Sequence, residues 1–173
     1  GEDNPTVIHC FTCHKSHTDG NFGLRLASSV TTTILENGDK FDLGKANLCT
    51  QCHIARRSVD TYVGTVGTDP RLISSTHWGP HYGVQGDMLV GSNGYEYEAF
   101  TYEITNHRSA TDDGCLDCHY KSTSNNIVGG HAFNMRGDAR DEGGELAGVL
   151  NTGACAPCHG DVDESHGCQH QQT

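Results

Sequence analysis

Apolar positions along this chain fall into a few short groups set between glycine-rich and polar stretches. Residues 24–35 (Leu-Arg-Leu-Ala-Ser-Ser-Val-Thr-Thr-Thr-Ile-Leu) are β-branched and partly alternating, and they run into Asn37-Gly38. That dipeptide favours the tight turn of a β-hairpin, so a hairpin is predicted there. A second hairpin is expected to join residues 88–90 to residues 95–104 through Gly91-Ser92-Asn93-Gly94. Helix is expected as single turns at the cysteine motifs described below, and in a stretch near residues 144–150. With 22 Gly, most of the remainder reads as coil. No apolar run approaches the roughly 18 residues a membrane-spanning helix requires, so no membrane span is expected.

Composition sharpens the picture. Fewer than one residue in five is Ile, Leu, Val or Phe, and the net charge is -11. Such a chain resembles a disordered one, because it has too little apolar surface to offset its folding entropy. Something other than side chains must supply the core. The 9 Cys and 12 His point to what that is.

Eight of the cysteines form four Cys-x-x-Cys pairs, each followed at once by His: Cys10/Cys13/His14, Cys49/Cys52/His53, Cys115/Cys118/His119 and Cys155/Cys158/His159. Cys-x-x-Cys-His is the attachment signal of haem c. On one helical turn the two thiols share a face and reach the two vinyl groups of one porphyrin, while the His one residue on reaches the iron. Zinc would need only the thiols, as would a redox disulfide. Neither explains a His behind all four pairs. Four covalent haems are therefore expected, with His14, His53, His119 and His159 as proximal ligands. Cys168 has no partner left in its own chain and stays unassigned.

The sixth position of each iron is the next question. Eight His remain, against only two Met, which points to His on both sides of every iron and to no open position for a substrate. The expectation is electron transfer, not catalysis. His9 adjoins Cys10 and reads as a haem-edge or surface residue. His166 and His170 lie in an acidic, polar tail and read as solvated. The distal candidates are His17, His81, His107 and His131. His77 shares the segment Ser75-Thr-His-Trp-Gly-Pro-His81 and stands as the alternative to His81, since Gly and Pro between them break any regular helix. His17 follows His14 by three residues, which at helical spacing turns it about 60° away and faces it to a different haem.

In order, the chain carries Cys13-His14-Lys15-Ser16-His17, a second attachment site, His77-Trp78-Gly79-Pro80-His81 with Gln85-Gly86-Asp87-Met88-Leu89, then His107, a third site, Gly129-Gly130-His131-Ala132-Phe133 and a last site. This order resembles the filament-forming extracellular multihaem cytochromes of the OmcE and OmcS type, most closely their tetrahaem nanowire members. The likeness runs over nearly the whole chain. Its most specific piece is the early Cys-His-x-x-His, while the other stretches occur in several multihaem families. The resemblance implies identical subunits joined head to tail, with His17 ligating a haem of the neighbouring subunit. It also implies an extracellular or cell-surface location and other redox proteins or extracellular acceptors as partners. In soluble multihaem proteins the same His serves its own chain, so a monomeric periplasmic shuttle stands as the alternative, and a multihaem reductase behind it.

Haem c is attached outside the cytoplasm, so the chain is expected to be exported, its signal already removed. The propionates make the finished protein more acidic still, which argues against nucleic acid as a partner. The proximal His are 39, 66 and 40 residues apart. That spacing predicts one domain over residues 1–173, with haem pairs in 1–60 and 107–173 and an insertion over 61–106. The fold class expected is a mostly irregular multihaem cytochrome c fold, with helical turns at the motifs, small hairpins and a core of stacked haems. At about 43 residues per haem, neighbouring macrocycles must approach to near contact, about 3.5–4 Å between carbons. Ligation by His on both sides favours low potentials, and a head-to-tail interface that does not close generates an open filament.

Overall fold

A computed structural model describes residues 8–15, 23–26, 33–34, 40–64, 71–80, 82–103, 106–124, 126–140 and 146–160. The chain divides into two compact units, Gly1–Asp112 and Asp113–Thr173, each holding two of the four motifs. Regular structure is sparse among the described residues, and no helix there is long and apolar enough to cross a membrane.

The first unit begins with a single turn, α1 (Cys10–Cys13). Strands β1 (Thr33–Ile34) and β2 (Lys40–Phe41) then pair antiparallel, Thr33 opposite Phe41 and Ile34 opposite Lys40. This is the hairpin expected around Asn37-Gly38, whose turn lies outside the described residues. A 3-10 helix over Gly44–Gln51 follows. Its entry is laced by side chains: the Asp42 carboxylate accepts from the Gly44 N–H (3.0 Å), and Asn47 Oδ1 accepts from the Leu43 N–H (2.9 Å). Short helices α2 (Asp60–Val63), α3 (Gln85–Val90) and α4 (His107–Ala110) complete the unit.

The core of this unit is small: Phe41, Leu43, Ala46, Ala55 and Val90 are its buried hydrophobic residues among those described. Burying a large apolar side chain stabilises by about 1.5–3 kcal/mol, whereas ordering each backbone residue costs about 1–2 kcal/mol. Three large side chains fall far short of ordering a unit of this length. Polar contacts to the backbone carry much of the definition instead. The Asp87 carboxylate, itself buried, accepts from the Ala55 N–H at 2.7 Å. Asn93 accepts from the Val59 N–H (2.7 Å) and donates to the Arg57 carbonyl (3.1 Å). Together they clamp the chain just after the second motif onto α3 and the turn behind it.

That clamp explains a departure from the expected second hairpin. Residues 88–90 are the end of α3, and residues 95–103 form no strand. Gly91 stops the helix in the left-handed region (φ 68°, ψ 45°), its N–H turned back onto the Asp87 and Met88 carbonyls. The alternating apolar pattern is overridden because Gln85, Asp87 and Asn93 must all reach the segment 53–59. Helices α2, α3 and α4 also correct the expectation that helix is confined to the motifs and one later stretch.

In the second unit, α5 (Cys115–His119) leads to a 3-10 turn at Gly130–Ala132 and to strands β3 (Arg136–Arg140) and β4 (Leu146–Leu150). The strands pair antiparallel from Arg136 opposite Leu150 to Arg140 opposite Leu146. Residues 146–150 are therefore strand, not the helix expected near 144–150. Five residues containing Gly148 have little helical preference of their own, and pairing with β3 decides their state. The Asn151 N–H, donating to the Met135 carbonyl at 2.8 Å, adds one more rung. A 3-10 turn over Thr152–Ala154 then delivers the chain to α6 (Ala156–His159).

Two glycines mark close approaches that no side chain would tolerate. A Cβ on Gly86 would lie 2.7 Å from the His53 carbonyl oxygen, and one on Gly129 would lie 2.0 Å from that of Lys121. Each glycine lets a later segment lie directly against a motif. Gly86→Ala is expected to destabilise the chain by about 1–3 kcal/mol, the usual cost of overpacking. Chemical unfolding followed by circular dichroism measures it, and an unchanged midpoint would show that the approach is not needed.

Candidate functional site

All four motifs are wound into one turn, the second at the end of the 3-10 helix and the others in α-helical turns. The motif His N–H donates to the carbonyl of the first Cys, at 2.8 Å for His14 to Cys10 and 2.9 Å for both His53 to Cys49 and His159 to Cys155. In the third motif the residues Cys115–His119 are themselves α5. One helical turn therefore carries two thiols and an imidazole on a common face each time. None of the eight motif cysteines is in a disulfide, and each is at least partly open to solvent. Among the described residues, no three His, Cys, Asp or Glu gather in a way that could hold a bare metal ion. Each motif lays out two thiols beside one His.

The first turn is capped by its neighbour His9, whose exposed ring accepts the Phe11 N–H on Nδ1 (3.2 Å) while its backbone N–H donates to Thr12 Oγ1 (3.2 Å). Past the motif, the chain is gripped by residues 23–25. The Lys15 N–H donates to the Gly23 carbonyl (2.9 Å) and the Arg25 N–H to the Cys13 carbonyl (2.8 Å), with His14 bridged to Leu24. Phe11, His14, Lys15 and Arg25 line an open cavity of about 440 Å³, within the range of ligand sites. Burial pushes the Cys13 thiol up from its ordinary pKa, and Cys49 and Cys52 add to the rise. The first and second motifs thus lie near each other within the first unit.

Two of the motif His are oriented from behind. His53 Nδ1 meets Gln85 Oε1 at 3.2 Å, and His119 Nδ1 meets the Phe133 carbonyl at 2.8 Å. A carbonyl oxygen can only accept, so Nδ1 carries the proton and Nε2 keeps a lone pair for a metal. Phe133 is placed for this by a left-handed backbone (φ 55°) at the end of the turn begun by Gly129. The two units reach the same end by different means, one with a side-chain amide and one with a main-chain carbonyl.

The distal candidates divide by what is described. His17 and His81 lie outside the described residues, as do His166, His170 and Cys168. His107 opens α4 and is exposed. His131, also exposed, has Tyr120 edge-on to its ring at 5.1 Å, and the Tyr120 hydroxyl is 3.5 Å from its Nδ1. His77 stacks on Tyr82, with ring centroids 5.4 Å apart and planes 11° from parallel, and its Nδ1 hydrogen-bonds the Tyr82 hydroxyl. That contact takes up Nδ1 of His77 and leaves the metal-binding role to Nε2. Gln85, Phe133, Tyr82 and Tyr120 were not legible as partners of these His, since each lies beyond its motif and joins it only through the fold.

No family model, curated protein or solved structure matches this chain. The motif turns themselves carry what can be said of the site. Asn151, buried just ahead of the last motif, donates through Nδ2 to the carbonyls of Lys121 (3.2 Å) and Cys118 (3.4 Å). Asn151→Ala is expected to cost roughly 1–3 kcal/mol by taking the side-chain donor away from the Lys121 carbonyl. Asn151→Asp should cost a similar amount, because a carboxylate cannot donate. Denaturant midpoints for both variants check this, and Asn151→Asp matching the parent protein would contradict it.

Proposed function

We propose that this chain is a tetrahaem c-type cytochrome that passes electrons and transforms no substrate. The observation that carries the reading is the fourfold repetition of one turn, each presenting two accessible thiols and a His to a common side. Cys10 and Cys13, Cys49 and Cys52, Cys115 and Cys118, and Cys155 and Cys158 would each tether one haem. His14, His53, His119 and His159 would hold the irons. When bound, the haems supply one-electron chemistry between ferric and ferrous iron, and the rest falls to the chain. Gln85 and the Phe133 carbonyl keep the rings of His53 and His119 in one tautomer and orientation, so the ligand geometry need not reorganise with each electron. Distal ligation is assigned to His107, His131, His17 and either His81 or His77. Ligation by two His on each haem would favour low potentials and would leave no room for a reactant.

The filament reading rests on resemblance, above all on Cys13-His14-Lys15-Ser16-His17. On that reading His17 completes a haem of the next subunit, which couples assembly to ligation, and the polymer lies outside the cell. Extracellular acceptors or other redox proteins would take the electrons.

The holoprotein's intact mass should exceed the chain's by four haems, and Cys52→Ala or Cys118→Ala should lower haem retention by one. Fewer than four covalent haems in the wild type would sink the proposal. Electron paramagnetic resonance should find all four irons low-spin. A stoichiometric high-spin signal would instead favour a reductase. His17→Ala should abolish fibres seen by negative-stain microscopy and release subunits with one altered haem each. Fibres that persist with every iron low-spin would remove His17 as the link, and a wild type that elutes only as monomer would leave the periplasmic shuttle.

A further inference from the structure

We propose that Lys15 and Arg25 form a cationic cradle for the propionates of the group held at Cys10 and Cys13, and that this cradle raises that haem's reduction potential. The inference rests on the tetrahaem reading and goes beyond it by naming a binding function for two residues outside the motif's own chemistry.

The cavity beside His14 is walled by Phe11 on one part and by two cations on another. Both cations are placed by main-chain bonds. The Arg25 backbone N–H donates to the Cys13 carbonyl, and the Lys15 backbone N–H donates to the Gly23 carbonyl. The Arg25 guanidinium is steadied by one bond, Nη1 to the Phe11 carbonyl at 3.2 Å. A guanidinium has five donors in a planar fork that matches a carboxylate. Among the described residues neither cation is paired with a carboxylate, although the chain has 22 Asp and Glu against 11 Lys and Arg. Two cations on one cavity present a site of matching charge for a bound carboxylate.

The cavity's other groups narrow that anion's chemistry. The Phe11 ring and His14 fit a flat apolar body, and the cations fit carboxylates at its edge. Arg binds a carboxylate with two parallel bonds, and Lys binds it as a point charge. A haem with its two propionates has both features. Lys15 and Arg25 also act on the redox couple. Reduction adds one electron and its negative charge to the iron, with no bond made or broken, and nearby cations stabilise that added charge. The consequence is a higher potential at the first site than the same ligands would give without the cradle.

The test is a spectroelectrochemical titration of the four-haem protein, with the electrode supplying the electrons. The first haem is identified as the one-electron component missing from Cys10→Ala/Cys13→Ala. In Lys15→Gln/Arg25→Gln that component should move to lower potential, by about a tenfold fall in its reduced-to-oxidised ratio at the wild-type midpoint, which is 59 mV for one electron. The other three should stay in place, and Arg25→Lys should recover most of the shift. Lys15→Gln alone leaves the Arg25–Phe11 bond intact and should still show a smaller shift in the same direction. That single variant decides the matter if the arginine variants do not fold. Four covalent haems by mass, with the first component unmoved in Lys15→Gln, would overturn the cradle alone. A wild type with fewer than four haems would overturn the tetrahaem reading, and the cradle with it.

Discussion

The bond from each motif His N–H to the first Cys carbonyl is the interaction on which the rest of this molecule depends. It winds five residues into a turn and sets the thiols and imidazole on one side. In a longer helix such a bond would be one of many. Here most helices are of four to six residues, too short to persist alone, so each turn needs outside support. The support comes from segments far along the chain: residues 23–25 behind the first motif, α3 behind the second, Asn151 and Phe133 behind the third. The architecture is a set of props for four turns more than a layered packing of helix and sheet.

That arrangement follows from how little apolar material the chain has. Six buried hydrophobic residues stand out among those described, two of them alanines. Buried polar residues sit beside them. Asn47, Thr50, Asp87 and Asn151 are each nearly inaccessible, and each is spent on a backbone group or another polar side chain near a motif. Burying such groups costs free energy unless they are paired. Asp87 Oδ1 and Asn151 Oδ1 have no partner among the described residues. On the proposed reading, the haems supply the apolar mass that the side chains lack. The many exposed large hydrophobics, such as Leu72, Ile73, Met88 and Phe100, show how much apolar surface the chain does not cover by itself.

His53 and His119 show how the same hydrogen bond to a motif ring is made without sequence similarity. Gln85 sits 32 positions beyond His53, and Phe133 lies 14 beyond His119. One gives a side-chain oxygen from a helix, the other a main-chain oxygen from a left-handed residue. Both act on Nδ1, because that is the edge of the ring facing the protein when Nε2 is turned outward. Glycine recurs at both places for the same reason. Gly86 and Gly129 let the supporting segment come within a distance that any Cβ would block.

Local chemistry decided what the sequence could reveal by itself. The four Cys-x-x-Cys-His turns were legible because spacing within five residues sets which side chains share a face, and no distant contact is needed to bring that about. The first hairpin was legible for the same reason, its pairing flanking Asn37-Gly38. What lay beyond was decided by tertiary structure. Residues 88–90 carry a strand-like pattern, yet they are helical because Gln85 and Asp87 must reach residues 53–55. Residues 146–150 pair as a strand because β3 lies beside them. The cations at the first site were visible in the sequence only as charges ten residues apart. They share a cavity with His14 because residues 23–25 fold back along residues 13–15, a pairing that depends on hydrogen bonds between backbones and so leaves little trace in residue type.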